Sequence, residues 1–195
     1  MRNRFMLGCA LVILALIQTP AQRAATAPLR FEITVAQGMI SSPQNGRLFV
    51  ILNRSSQPEP RLTAGATGLD APPILARDVN NFAPGVVSVI DEKAAAFPIQ
   101  DLAHLPAGDY FAQALFDSNI DLKSINAPGN LYSAVQRAHL DPARSGTVKI
   151  ELTQKVPPEE LPSESEHVRF VKIQSTLLSK FHGRPVYLRA GVILP

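Results

Sequence analysis

The sequence predicts an all-β protein: an immunoglobulin-like β-sandwich, followed by a linker and a short C-terminal β-hairpin. Short segments alternate apolar and polar residues with a period of two, the pattern of a strand with one buried face. Turn sequences rich in proline and glycine separate these segments. The 17 prolines among 195 residues also disfavour long helices, because proline lacks a backbone donor. A closed barrel is the alternative, since the pattern does not encode strand order.

The N-terminus, residues 1–27, has the pattern of a secretory signal peptide. Residues 5–17 form an uncharged apolar run, which is shorter than the roughly 20 residues that a membrane-spanning helix needs. We expect cleavage after Ala21, with Ala27 as the alternative site. The protein should therefore be secreted or periplasmic, and its mature chain should have no transmembrane span.

The charge balance argues against a nucleic-acid partner. The formal net charge is +3, but Arg2 and Arg4 belong to the signal segment, and without them 17 basic residues face 16 acidic ones. Binding to a phosphate backbone needs a basic patch, and no segment has one interleaved with aromatic residues. Cys9 is the only cysteine and also lies in the signal segment, so we expect neither a disulfide framework nor a Cys-rich zinc site.

The sandwich is expected over residues 28–155. Residues 29–36 alternate strictly and predict the first strand, whereas residues 47–52 are apolar on both faces and predict an interior strand. The turn sequences before the next segments predict strands that begin directly after a tight turn. These further strands are expected at residues 86–90, 110–116 and 148–153, with shorter edge strands near Leu62 and Ile99.

Residues 156–166 (VPPEELPSESE) are predicted to be a linker, because proline stiffens the segment and its four glutamates repel one another. Residues 167–195 then predict two strands, at 168–174 and 186–194, with Gly183 at the turn between them. This segment contains five Lys and Arg residues and no Asp or Glu. We interpret these cations as an outward strand face rather than a ligand site.

The search for catalytic and metal sites identifies no site residue. The sequence contains no G-x-S-x-G pentapeptide, which a serine hydrolase of the α/β type needs for its nucleophile. The histidines are too far apart for the usual zinc spacings and are predicted to be surface or turn residues. We therefore predict no catalytic, cofactor-binding or metal-binding residue. The histidines are His104, His139, His167 and His182.

Residues 117–121 resemble the beginning of a calcium-binding loop, with Asp117, Asn119 and Asp121 at the first three ligand positions. Leu122 replaces the glycine that the loop needs, and Pro128 replaces its bidentate acid. We therefore expect no bound calcium. The three side chains are instead predicted to cap a strand end and shape a loop.

Three segments resemble the start of a family of secreted esterases, which are α/β-hydrolases related to esterase D and enterochelin esterase. They are residues 105–110 (LPAGDY), 127–133 (APGNLYS) and 178–195 (LSKFHGRPVYLRAGVILP). The resemblance is most specific over residues 175–195, where Phe181, Gly183, Arg184, Tyr187, Leu188, Ala190, Val192, Leu194 and Pro195 match.

The resemblance implies that a β-sandwich precedes a catalytic domain and that residues 167–195 supply the opening strands of that domain. In this family the catalytic serine, acid and histidine follow those strands. On this interpretation the chain stops before the catalytic domain, so the resemblance assigns no catalytic residue here.

Three functions are compatible with these observations. The expected one is an exported, non-catalytic N-terminal module of an esterase-like protein, whose C-terminal strands dock on a hydrolase domain or self-associate. The alternative is a free-standing exported module that binds a peptide, protein or carbohydrate through loops at residues 78–82 and 117–132. The absence of tryptophan weakens the carbohydrate version. A third possibility, an enzyme using carboxylates such as Asp78 and Asp91, has no support from their spacing.

Overall fold

The computed structural model describes residues 27–68, 70–158, 160 and 163–194. The predicted signal peptide and its cleavage site at Ala21 lie outside the described residues. The described part of the chain consists mainly of β-strands and contains one short α-helix, which confirms the all-β class.

Within these described ranges, the main sheet contains nine strands and a separate sheet contains two. The nine are β1 (Ala27–Val35), β2 (Gln44–Asn53), β3 (Ile74–Phe82), β4 (Ser88–Ile90), β5 (Ala95–Phe97), β6 (Gly108–Asp117), β7 (Leu131–Ser133), β8 (Gln136–Leu140) and β9 (Ser145–Lys155). Short 3-10 helices lie at Pro60–Thr63 and Leu102–His104. The separate sheet is a pair formed by β10 (Val168–Gln174) and β11 (Tyr187–Ile193), which are connected through helix α1 (Thr176–His182).

The main sheet is continuous and curled. Its strand order is β4-β1-β9-β7-β6-β2-β3-β5, and β8 pairs with β6. Strands β1 and β9 run parallel, whereas the other paired strands run antiparallel. Curling brings β3 towards β4, where Arg77 Nη1 donates a hydrogen bond to Val89 O at 2.6 Å. The finer assignment to an immunoglobulin-like sandwich stays a prediction.

The core lies inside this curled sheet and follows from the sequence alternation. In β1 the apolar residues of the alternating pattern are buried, and their polar neighbours are more exposed. Residues 48–52 of β2 are buried or half-buried on both faces, and the helix Pro60–Thr63 packs against β2 and β6. Burying apolar side chains stabilises the fold by about 25 cal/mol per Å². The fully buried core side chains include Phe31, Ile33, Leu48, Val50, Leu75, Phe82, Ile90 and Phe116.

A tyrosine corner fixes the entry into β6. Tyr110 Oη donates to Pro106 O at 2.7 Å, and Arg54 Nη2 donates to Tyr110 Oη at 2.8 Å. The Arg54 guanidinium also stacks 3.7 Å above the tyrosine ring. Such corners are typical of Greek-key β-sandwiches. The sequence LPAGDY therefore has a local structural role.

Most strands predicted from alternation are present. Strands β1, β2, β6 and β9 occupy the predicted segments. The strand predicted at 86–90 begins only at Ser88, because Val86 N bonds to Ala83 O in the preceding turn. The prediction of an edge strand near Leu62 is wrong. Leu62 lies in a 3-10 helix that begins with Pro60. Proline is tolerated at the start of a helix because the N–H that it lacks would have no partner in the helix. The strand predicted near Ile99 ends earlier, at Phe97.

Strand β3 corrects a predicted loop. Residues 78–82 were expected to form an exposed binding loop, but they lie in β3 and pair with β2. The segment contains several polar residues because β3 lies towards one edge of the sheet, where Asp78 faces solvent and forms an ion pair of 3.3 Å with Arg47. Asn81 adopts a positive φ of 54°, and its N–H donates to Asn45 Oδ1.

Helix α1 lies in the predicted connection between the last two strands. Ser175 caps it by accepting a hydrogen bond from Leu178 N. Gly183 ends it in the left-handed conformation with a φ of 65°, which glycine adopts without steric cost. The predicted turn at Gly183 is therefore confirmed, although the connection as a whole is helical.

Candidate functional site

The structure places the histidines at the surface, each in its own local environment. His104 Nδ1 lies 2.8 Å from Asp101 Oδ1, and His139 Nδ1 lies 2.9 Å from Asp109 Oδ1. Hydrogen bonding to His104 lowers the pKa of Asp101, and hydrogen bonding to His139 lowers the pKa of Asp109. No group of three or more metal-ligating side chains occurs among the described residues.

Asp78 and Asp91, the two carboxylates considered for catalysis, each make a separate local contact. Asp78 pairs with Arg47 across β2 and β3, whereas Asp91 accepts a hydrogen bond from Lys93 N in the turn after β4. These contacts stabilise a strand edge and a turn. Among the described residues, the side-chain contacts of Asp78 and Asp91 are with Arg47 and with the backbone of Lys93.

The loop after β6 is held by one buried amide, Asn130. Its Oδ1 accepts hydrogen bonds from Ser118 N and Asn119 N at 3.0 and 2.9 Å. Its Nδ2 donates to Asp117 Oδ1 and to Ile125 O, both at 2.8 Å. Burial raises the pKa of Asp117, and the hydrogen bond from Asn130 offsets part of this rise. Asp117 thus ends a strand and participates in the loop, as predicted.

Asn119 shapes the same loop, also as predicted. Its Oδ1 accepts from Asp121 N at 2.8 Å and from Leu122 N at 3.1 Å, while its Nδ2 donates to Pro128 O at 2.9 Å. Asn119 therefore uses its side chain to stabilise backbone groups. Sequence reasoning missed Asn130, because an asparagine beside a turn gives no sign that its amide will be buried.

A second polar network fastens the helix Pro60–Thr63 to the sheet. Gln113 is 1% exposed, and its Nε2 donates to Ser133 O at 2.9 Å and to Glu59 Oε2 at 3.1 Å. Its Oε1 accepts from Arg61 N at 2.9 Å. Hydrogen bonding from Gln113, and then from Arg61, lowers the pKa of Glu59. The network uses its polar groups for internal contacts, so its role is structural.

The exposed apolar surface of β10, α1 and β11, here called the hairpin surface, is the strongest candidate for a functional site. Large side chains are exposed on all three elements: Phe181 is 83% exposed and Ile193 is 82% exposed. Large exposed apolar surfaces mark interaction sites. The other strongly exposed members are Ile173, Leu177, Tyr187 and Leu188.

The register divides the side chains of the hairpin between two faces. Paired residues share a face, so Ile173 with Leu188, Val171 with Ala190, and Arg169 with Val192 form one face, here called the apolar face. The other face, here called the basic face, contains Lys172 directly opposite Arg189. The apolar face carries five apolar residues and one arginine, the composition of a face that packs against another surface.

The hairpin and the connection before β11 contact the loop after β6. Arg184 Nη2 lies 3.0 Å from Asp121 Oδ1, and the Nε atom of Arg184 is buried and has no hydrogen-bond partner in the part of the chain that the structure describes. Leu122 of this loop lines a cleft of about 460 Å³ together with Phe170, Lys172 and Arg189 of the basic face. These contacts leave most of the hairpin surface exposed.

Comparison of the chain with known protein families, characterised proteins and solved structures found no match. In the described part of the chain, no helix combines the length and the apolar character that crossing a membrane requires.

Proposed function

We propose that this protein is the exported, non-catalytic N-terminal module of an esterase-like protein, and that the hairpin surface joins this module to a hydrolase domain. The main observation that supports this proposal is the separate β10–β11 sheet, whose apolar side chains are exposed along both strands. An isolated two-stranded hairpin is at best marginally stable in water. A covering domain would stabilise it by burying these side chains.

The position of the resemblance supports this assignment. The segment most similar to the esterase family, residues 175–195, coincides with the helix cap at Ser175, helix α1, the left-handed Gly183 and strand β11. In that family the corresponding segment forms the first strands of the hydrolase sheet. The same segment is the part of the described chain with the most exposed apolar surface.

The chemistry of the main sheet agrees with a non-catalytic role. Its buried polar side chains, Gln113, Asn130 and Ser133, are hydrogen-bonded to loops and strands. Acyl transfer by a serine needs a nucleophile with a base in hydrogen-bond reach. We therefore assign the main sheet a structural role.

Export by signal cleavage is part of the proposal, with Ala21 as the preferred site. Ala27 opens β1 and pairs with Ser145 of β9, so cleavage after Ala27 would remove a paired residue from the sheet. Cleavage after Ala21 keeps this pair. N-terminal sequencing of protein recovered from the envelope or medium should begin at Gln22. Recovery of only the intact chain, confined to the cytosol, would contradict export.

An esterase assay tests the catalytic part of the proposal. The purified mature chain should hydrolyse an activated ester no faster than a heat-unfolded sample at the same concentration. A fluorophosphonate probe should label no serine stoichiometrically, because such labelling needs an activated nucleophile. Stoichiometric labelling of one serine, abolished by its change to alanine, would overturn the proposal.

The downstream genomic sequence tests the proposed link to a hydrolase domain. The genomic sequence downstream of the codon for Pro195 should encode a G-x-S-x-G segment followed by an acid and a histidine, either in frame or after an interruption. A downstream sequence without this segment would contradict the assignment to an esterase-like protein.

A further inference from the structure

The two edges of the hairpin differ. Strands β10 and β11 pair antiparallel, and the ladder extends at both ends through Leu194 N to His167 O at 2.8 Å and Ser175 N to Val186 O at 2.9 Å. In an antiparallel strand, the N–H and C=O of one residue point to the same side, and those of the next residue point to the opposite side. These two bonds therefore determine which backbone groups point inward and which point to the free edges.

The free edge of β10 is partly occupied by the chain itself. Its outward residues include Val168 and Phe170. Ser165 N donates to Val168 O at 3.0 Å, and Val168 N donates back to Ser165 O at 3.4 Å. Phe170 N donates to Glu164 Oε1 at 2.8 Å. The segment before β10 thus satisfies the first half of this edge.

The free edge of β11 is open. Its outward residues are Tyr187, Arg189, Gly191 and Ile193, and none of them forms a backbone hydrogen bond beyond the β10–β11 ladder within the described residues. The strand is seven residues long, contains no proline and is exposed throughout. Unpaired backbone groups along such an edge are a template for the addition of another strand.

The side chains beside this edge specify what an added strand would carry. On the apolar face, Leu188, Ala190 and Val192 offer apolar contacts. On the basic face, Arg189 lies opposite Lys172, and like charges in direct register destabilise a strand pair. Residues 167–195 contain no acid that could neutralise these two cations. An acidic side chain beside Arg189 would relieve the repulsion.

We propose that the free edge of β11 binds an extended segment of a partner polypeptide in which acidic and apolar side chains alternate. This inference rests on the proposed function and specifies how the hairpin surface takes its partner. A second copy of the chain fits less well. Antiparallel pairing of two β11 strands would place Arg189 and Lys172 of both copies on one face without an acid between them.

Peptide binding to the full mature chain tests the proposal. The probe is a fluorescent, capped peptide of the length of β11 in which glutamate and valine alternate; the comparison peptide replaces glutamate with lysine. We expect the Glu/Val peptide to bind more tightly, measured by anisotropy. Hydrogen exchange should show slower exchange at the amides of Arg189 and Gly191 when this peptide is bound.

Two variants and one control locate the site. Gly191→Pro removes an outward N–H, a position where an edge strand tolerates proline, and should weaken binding about tenfold or more. Arg189→Glu keeps the backbone intact and should reverse the preference towards the Lys/Val peptide. Gln174→Pro removes an outward N–H from the opposite edge and should leave binding unchanged.

Several results would overturn the inference. These are no binding of the Glu/Val peptide, equal binding by Arg189→Glu, protection of the β10 edge instead, or a dimer through β11 that excludes the peptide. The ester assay and the probe-labelling assay measure catalytic activity rather than strand addition. A labelled serine would contradict the proposed function without changing these exchange results, whereas an unprotected β11 edge would contradict only the strand addition.

Discussion

Asn130 shows how much of the loop after β6 depends on a single side chain. Its amide is fully buried and satisfies two backbone donors, one carboxylate oxygen and one carbonyl oxygen. An amide in this position can serve all four groups because it has both an acceptor and two donors. The candidate calcium residues Asp117 and Asn119 are therefore part of a network that the polypeptide completes by itself.

Replacing Asn130 should destabilise the protein. In Asn130→Ala the N–H groups of Ser118 and Asn119 lose their acceptor, which should lower the free energy of unfolding by about 2 to 3 kcal/mol. Urea unfolding followed by circular dichroism measures this. Ile120→Ala changes an exposed side chain of the same loop and should cost less than about 0.5 kcal/mol. Equal effects of the two changes would contradict the role of the amide.

Asp117 should make stability depend on pH. Burial raises its pKa in the folded protein, so the folded state holds this proton more tightly than the unfolded chain does. The associated stability is fully present below the pKa of an unfolded aspartate and is lost as the pH rises through the folded pKa. Asp117→Asn resembles the protonated form and avoids this loss. Its stability relative to the natural protein should increase between acidic and neutral pH in urea unfolding; a difference independent of pH would contradict this.

The strands and helices differ in how directly their own residues determine their conformation. Strands β1 and β9 alternate over their central residues because one face contacts the core and the other faces solvent. Strand β3 has a mixed pattern, since its residues lie towards a sheet edge where polar side chains are tolerated. The 3-10 helix at Pro60–Thr63 depends on Gln113, which binds Arg61 N from a strand 52 positions away in sequence.

The tyrosine corner at the entry into β6 gives a prediction about a single structural element. Tyr110→Phe removes the hydroxyl that donates to Pro106 O and accepts from Arg54, so the free energy of unfolding should fall by about 1 to 2 kcal/mol. Thermal or urea unfolding measures the change. Tyr132→Phe is the matched control, because its hydroxyl makes no hydrogen bond within the described residues while its ring contacts Arg61. If both variants lost the same amount of unfolding free energy, the proposed contribution of the tyrosine corner to stability would be contradicted.

At the scale of the whole molecule, the described residues form two hydrogen-bonded units, the nine-stranded sheet and the hairpin. Val156 still belongs with the first, because its N–H donates to Asn130 O at 2.8 Å and its carbonyl accepts from Gly129 N at 2.9 Å. Beyond Val156, the hairpin has the ion pair of Arg184 with Asp121 and the cleft beside Leu122. Both side chains of this ion pair remain partly exposed. Ion pairs in contact with solvent contribute about 1 kcal/mol or less, so the main sheet should depend little on the hairpin.

Limited proteolysis tests this division. A glutamate-specific protease should cut first within residues 157–166, which contain four glutamates, and leave a folded fragment that begins at Gln22 and retains Val156. A chain ending at residue 156 should keep the unfolding free energy of the main sheet and be more soluble, because the hairpin surface is gone. Unfolding of the main sheet on this deletion would show that β10 and β11 are part of its core.

The sequence by itself determined the all-β class, the four main strands and the turn at Gly183, because alternation, turn residues and left-handed glycines act over a few neighbouring residues. Only the tertiary structure decided which strands pair, including the parallel contact between Ala27 and Ser145, since pairing depends on residues far apart in the chain. It also decided the burial of Gln113 and Asn130, whose partners come from distant segments. The open edge of β11 is likewise a tertiary property, because its free backbone groups are those that no other described segment reaches.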